Sequence, residues 1–301
     1  KAGSVLEDDD QQGLAHFVEH MEFEGTLHFP RQSIGDFLSS LGLSIGPDAN
    51  AATSYDDTQY TLRVPTDMPG VLDRALLVLE DWAHGATFDQ GGIDHERGIV
   101  LSEWRLHLGA DDRTQDKIRR VQLAGSRYAD RPPIGDPDII EHAQREQLAR
   151  FYRDWYRPDL MAVIVVGDVD RDAVTTLIKQ HFSSLASPSP ERPRPAFDVP
   201  NHPGTRYAVV TDKETTTTVV EVSDLRPARN QGSVGGYREL MLDQLFANML
   251  GARLDELGQS DNPPFLRAAA NRELFSMPST RGEAALLALV VLLILDTMLG
   301  T

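Results

Sequence analysis

Apolar residues recur at helical spacing along much of the first 185 positions, broken by short stretches that alternate or are apolar throughout. The segment from Gly13 to Phe23 opens a helix, and Ile34, Phe37, Leu38 and Leu41 share one face of a second. Val71, Leu72, Ala75, Leu76, Leu79 and Trp82 form a strong amphipathic stripe. Further helices are expected from about Ile93 to Leu108, around Leu148, Phe151, Tyr152 and Trp155, and after Asp170, which can cap a helix bearing Val174, Leu177, Ile178 and Phe182. Tyr60, Leu62 and Val64 alternate, which predicts a strand stopped by Pro65. The Val-rich run Leu160–Val166 predicts a buried strand, and Lys1–Val5 reads as a strand entered partway.

The pattern breaks at residues 186–204, where six prolines fall within sixteen positions from Pro188 to Pro203. Such a stretch supports neither a helix nor a central strand and reads as a semi-rigid linker. Beyond it, Tyr207–Thr211 and Thr215–Val222 read as a strand pair, and a helix after Gly236 carries Leu242, Leu245, Phe246, Met249, Leu250 and Leu254 on one face. Ala284–Leu295 is twelve apolar residues in a row. A membrane span needs about 20, so a buried or partner-facing helix is expected there and no membrane span. The organisation implied is a first αβ domain over residues 1–185, the linker, and a partial second αβ domain over 205–301.

Charge and cysteine content narrow the function. Lys plus Arg number 29 against 46 for Asp plus Glu, a formal net charge of −17. So acidic a surface repels phosphate backbones, which argues against nucleic acid as a partner. The chain has no cysteine, so any metal must be held by His and carboxylate. Lack of cysteine suits an exported bacterial protein and a cytosolic one equally. There is no glycine-rich phosphate loop, no basic patch and no G-x-S-x-G elbow.

The chemistry concentrates in Gly13-Leu14-Ala15-His16-Phe17-Val18-Glu19-His20-Met21. One helical turn is 3.6 residues, so His16 and His20 leave the same face and can converge on one ion, with the Glu19 carboxylate beside it. The spacing H-x-x-E-H is the inverted zinc-peptidase motif. Two neutral imidazoles and an acid suit zinc, and a third ligand would leave room for water. Glu96 and Glu103 offer that ligand. They stand seven apart on one helix face, about 10 Å along the axis, so both cannot ligate one ion. Spacing alone does not say which does. His95 and His107 flank the pair and read as surface residues.

Four stretches, G-L-A-H-F-V-E-H-M, G-P-D-A-N-A-A-T-S-Y-D-D-T-Q-Y, E-R-G-I-V-L-S-E-W-R and F-Y-R-D-W-Y-R-P-D-L-M-A-V-I-V-V-G-D, together resemble the pitrilysin/insulinase family of zinc peptidases, across most of residues 1–260. The resemblance implies an α+β fold, a two-layer αβ domain like that of mitochondrial processing peptidase, followed by a partial second αβ domain. It implies one Zn2+ per chain held by His16, His20 and Glu103, with Glu19 as general base and Glu96 as a nearby acid needed for activity. Asn50 and Ala51 resemble the edge-strand segment that pairs with an extended peptide or small-protein substrate. The implied activity is metalloendopeptidase hydrolysis; the alternative is a non-catalytic member acting as one half of a clamshell complex. In either case a second homologous half or a partner chain is expected. The implied location is periplasmic or otherwise exported in a bacterium, with the cytoplasm as alternative. One departure stands near the motif: bacterial members usually read A-F-N-G-T where this chain has Glu22-Phe23-Glu24-Gly25-Thr26, which is expected to add negative charge beside the site.

Overall fold

A computed structural model describes residues 1–227, 232–274 and 284–293. It divides into two compact units, one of residues 1–108 and 130–195, the other of 109–129 and 196–301. The boundary at 195/196 falls inside the proline-rich stretch, and residues 109–129 group with the second unit.

The first unit is built from α1 (Leu14–Glu24), α2 (Ser33–Ser40), the strands β1 (Ala49–Thr53) and β2 (Thr58–Leu62), α3 (Val71–His84) and α4 (Gln90–Leu106). After the excursion into the second unit it resumes with α6 (Pro137–His142), α7 (Arg145–Trp155) and α8 (Arg171–Phe182). β1 and β2 form an antiparallel pair with Asn50 opposite Thr61 and Ala51 opposite Tyr60. Helix α1 runs through the middle, against α4, α7 and β1. Leu14, Ala15, Phe17, Val18 and Met21 on α1 are buried, as are Ile93 and Val100 on α4 and Leu148, Phe151 and Trp155 on α7. A neighbouring cluster joins Phe29, Ile34, Phe37, Leu38, Val78 and Trp82. Helical spacing of apolar residues thus marks the buried faces of α1, α2, α3 and α7, while in α8 only Val174 of the predicted stripe is buried.

The start of α1 is fixed tightly. Gly13 caps it at φ +97°, and a Cβ there would meet the Ile140 side chain at 2.8 Å, so only glycine suits both the backbone and the space. The Glu7 carboxylate, fully buried, accepts from the Gly13 and Ala15 amides at 3.0 and 2.8 Å. A carboxylate over free amides at a helix N-terminus satisfies those donors and suits the helix dipole.

The second unit holds α5 (Ala110–Gln122), β3 (Thr218–Pro227), α9 (Val234–Gly258), β4 (Arg267–Leu274) and β5 (Ala284–Leu293), with the strands in the order β3-β5-β4, all antiparallel. Arg113 of α5 pairs with Asp212 and Glu214 within this unit.

Four expectations are corrected. Lys1–Val5 is not a strand: Ser4–Leu6 forms a 3₁₀ turn, although the Ser4 and Val5 amides do bond to the Ser54 and Tyr55 carbonyls. Residues 161–166 join no ladder, and Ile164 and Val166 are exposed at 80% and 91%, because no described strand lies beside them to satisfy the backbone. Tyr207–Thr211 is likewise unpaired; the partner of β3 is β5. The apolar run from Ala284 is a strand and not a helix, over the ten residues Ala284–Leu293. A short continuous apolar run fits a buried helix or a central strand alike, and here ladders on both edges decide for the strand. Ile294 and Leu295, the end of that run, lie outside the described residues. No helix among the described residues is long and apolar enough to cross a membrane. The sheet layer of the first unit is confined, among described residues, to the β1–β2 pair.

Candidate metal centre

Three donor atoms from two helices meet at one point. On α1, His16 Nε2 and His20 Nε2 are 3.2 Å apart. From α4, Glu103 Oε2 lies 3.4 Å from the first and 3.5 Å from the second. A tetrahedral ion with bonds of about 2.0–2.1 Å separates its ligand atoms by about 3.3 Å. The three atoms therefore outline one face of such a coordination shell, and a donor set of two imidazoles and a carboxylate suits zinc.

The surroundings shift the two imidazoles in opposite directions. Burial, reinforced by the neighbouring His20, depresses the His16 pKa to about 4, so that ring is neutral over the physiological range. Burial pulls His20 the same way, but the Glu96 and Glu103 carboxylates outweigh it and raise its pKa. Glu96 itself is buried, yet its hydrogen bond to His20 keeps its pKa below the ordinary value. That bond, Glu96 Oε2 to His20 Nδ1 at 2.8 Å, fixes the ring so that Nε2 turns toward Glu103. The seven-residue spacing of Glu96 and Glu103 thus resolves into two different contacts: Glu103 reaches the converging nitrogens, and Glu96 reaches the outer nitrogen of one of them. Arg97, between them, ties α4 to the carbonyls of Ile140 and Ala143 while its guanidinium stacks on Phe17 of α1.

Glu19 lies on the same helix as the histidines, buried, with Oε2 accepting from the Thr53 hydroxyl of β1. Burial raises its carboxyl pKa. An open cavity of about 820 Å³ takes in His16, Glu19, His20, Glu96, Glu103 and the edge of β1 from Asn50 to Thr53. Asn50 turns its side-chain carbonyl onto the Ala51 amide at 2.9 Å. The seven residues expected to hold metal, catalyse or bind substrate therefore border one cavity in the first unit.

The model for insulinase, peptidase family M16, matches residues 1–127, and the model for the M16 inactive domain matches residues 142–259. The chain belongs to the M16 insulinase family. Among M16 relatives, the zinc protease PQQL-like of Arabidopsis thaliana is 36% identical over 266 residues, 88% of this chain and 28% of that protein. The probable zinc protease PqqL of Escherichia coli is 39% identical over 213 residues, 70% of this chain and 23% of that protein. The crystal structure of the periplasmic protease PqqL from E. coli superposes with a TM-score of 0.84 at 31% identity, covering 97% of this chain and 32% of that one. Pitrilysin, at 19% identity and a TM-score of 0.72, shares the fold. The chain spans between 23% and 32% of the length of the PqqL-type M16 proteins it matches.

Reading the sequence missed three contributors. Glu7, whose carboxylate accepts from the first amides of α1, stands in an acidic run that looks like solvated surface. Thr53, the partner of Glu19, carries no signal beyond its place in the stretch Gly46–Tyr60 that resembles the family. His95 is 63% exposed in its side chain, as a surface residue should be, but it pairs with Glu24 at 3.0 Å and Glu96 at 3.3 Å. Glu22 departs from the expected surface charge beside the site: it is fully buried, and burial pushes its carboxyl pKa well above the ordinary value.

Proposed function

We propose that this chain is the metal-binding portion of a zinc metalloendopeptidase, with His16, His20 and Glu103 holding one zinc ion. The observation that carries the reading is the near-tetrahedral spacing of the three donors beside a buried carboxylate at the floor of an open cavity. Zinc, when bound, acidifies water and polarises a carbonyl. Glu19 takes a proton from the attacking water and returns it to the leaving amine. Its raised pKa brings it closer to neutrality, which suits both transfers, and the Thr53 hydroxyl orients the carboxylate. Glu96 orients His20 from behind. The edge of β1 at Asn50 and Ala51 accepts an extended peptide by backbone pairing, the Asn50 side chain giving way as the strand adds.

The intact set His16, Glu19, His20, Glu96 and Glu103 favours this over a non-catalytic clamshell half. A second homologous half, or a partner chain, completes the oxyanion donors; a solved structure of the first half of E. coli PqqL, matched at a TM-score of 0.84, supports a protein divided in that way. Donors to a developing oxyanion are commonly worth roughly 3–4 kcal/mol each, so hydrolysis by the 301-residue chain alone should be weak. The periplasmic E. coli relative supports an exported location.

The test is Glu19→Gln, which keeps shape but removes the proton acceptor. Cleavage of a fluorogenic peptide, with and without a chain supplying the second half, should fall by about 10²–10⁴ while bound zinc is retained. Loss of zinc together with activity would mean that Glu19 serves as a ligand and not as the base.

A further inference from the structure

Beside the centre just described, a second group of donors converges without belonging to it. His95 Nδ1 on α4 lies 3.0 Å from Glu24 Oε1, at the end of α1, and 3.3 Å from Glu96 Oε1. Potential ligand atoms of Glu24, His95 and Glu96 all lie within 4.8 Å of one another. These N···O separations are a little shorter than the 3.4 and 3.5 Å of His16 and His20 from Glu103, and they lie close to the edge of about 3.3 Å expected between ligands of a tetrahedral ion. From these distances we propose that Glu24, His95 and Glu96 form an auxiliary site for a divalent transition ion such as Zn2+, distinct from the centre at His16, His20 and Glu103.

The donor chemistry fits. One imidazole and two carboxylates favour zinc and its neighbours over calcium or magnesium, which take oxygen ligands alone. The two carboxylates face each other, an arrangement that repels when both are ionised and that a cation between them relieves. Glu24 and Glu96 border the open cavity and His95 is exposed, so an ion has a route in from solvent.

Glu96 gives the auxiliary site its consequence. Its Oε2 binds His20 Nδ1 and its Oε1 faces His95, so one carboxylate touches both groups. An ion on Oε1 draws electron density from the carboxylate that orients His20. Occupancy at the auxiliary site is thereby communicated to the first centre through a single side chain. Free zinc above what the first centre requires would act back on it by this route.

The experiment is equilibrium dialysis of the purified chain against buffered free Zn2+, with bound metal measured by atomic emission. Wild type should bind about two ions per chain in a tight and a weaker class, each in the imidazole–carboxylate range of zinc sites. His95→Ala and, independently, the isosteric Glu24→Gln should each remove the weaker class and keep the tight one. His16→Ala should do the reverse, which separates this inference from the proposed function. A wild-type chain that saturates at a single ion, or a second ion that survives His95→Ala, would overturn the auxiliary site. So would a weaker class lost with His16→Ala, since the cluster would then be part of the first centre.

Discussion

Helices α1 and α9 carry the same kind of apolar periodicity and meet different fates. Of the eleven residues of α1, Leu14, Ala15, Phe17, Val18, Glu19, Met21 and Glu22 are buried. Of the 25 residues of α9, none is buried, and Leu242, Leu245, Phe246 and Met249 stand 54–73% exposed. Periodicity fixes which face of a helix is apolar; cover comes from other elements, and within its own unit α1 finds it in α4, α7 and β1. The difference bears on function. The converging side chains of His16 and His20, only 15% and 16% exposed, stand on a helix held from the Glu7 carboxylate over its first amides to the Trp82 indole, which donates to the Glu22 carbonyl. A site that must place three atoms within tenths of an ångström needs such support.

The comparison can be broken most directly by matched truncations. Phe17→Ala on α1 should cost about 3–5 kcal/mol, and Phe246→Ala on α9 under about 1 kcal/mol. Trp82, Trp104 and Trp155 all lie in the first unit, so tryptophan fluorescence during urea unfolding reports that unit alone, and circular dichroism reports α9 as well. Equal costs at the two positions would remove the contrast.

Next in size is Glu96→Ala. If orientation of His20 from α4 matters, zinc affinity at the first centre should fall about 10–100-fold, read by competition with a chromophoric chelator. An unchanged affinity would make the bond to His20 incidental. A gain in stability is expected from Glu22→Met. This fully buried carboxyl is charged only against a large desolvation cost, which the neighbouring Tyr152 hydroxyl offsets in part, so an apolar side chain of similar length should stabilise the first unit by about 1–2 kcal/mol. Destabilisation instead would point to a role for the acid in packing α1.

The smallest effect depends on pH. His181 on α8 bonds Glu80 Oε2 at 2.7 Å and Asp73 Oδ1 at 3.1 Å, both on α3. Burial works against its charge, but the two carboxylates outweigh that and raise its pKa above 6.5. A raised folded-state value means the extra stability is complete below pH 6.5 and is lost as pH rises through the folded pKa. His181→Gln should therefore cost up to about 1 kcal/mol under mildly acidic conditions and progressively less toward alkaline pH. A cost that grows with pH would reverse the assignment.

The legibility of the molecule in its sequence follows the same line. The helices of the first unit could be read because their cover lies within the same stretch of chain and period and burial agree. Residues 161–166 and the apolar run from Ala284 could not, since a short apolar segment acquires its conformation from whichever strand lies beside it. At the site, the i, i+4 histidines were legible because helix geometry alone brings them together. The division of labour between Glu96 and Glu103 was not, because it depends on how α4 crosses α1, and resemblance supplied the assignment that the distances now support. Thr53 with Glu19 and His95 with Glu24 are contacts between segments distant in sequence, where local pattern carries no information. Glu7 lies only six and eight residues before the amides it accepts from but sits in an acidic run that gives no sign of burial.

The central claim is that α1 and α4 together hold one zinc ion through His16, His20 and Glu103. The measurement that tests it most directly is metal retained per chain after loading with a single equivalent of Zn2+ and gel filtration, for wild type, His20→Ala and Glu103→Ala. The account predicts about one tightly held ion in wild type and its loss in both variants, as expected when one of three protein ligands is removed. Retention of the ion by Glu103→Ala, with His20→Ala empty, would contradict the assignment of α4 as the source of the third ligand.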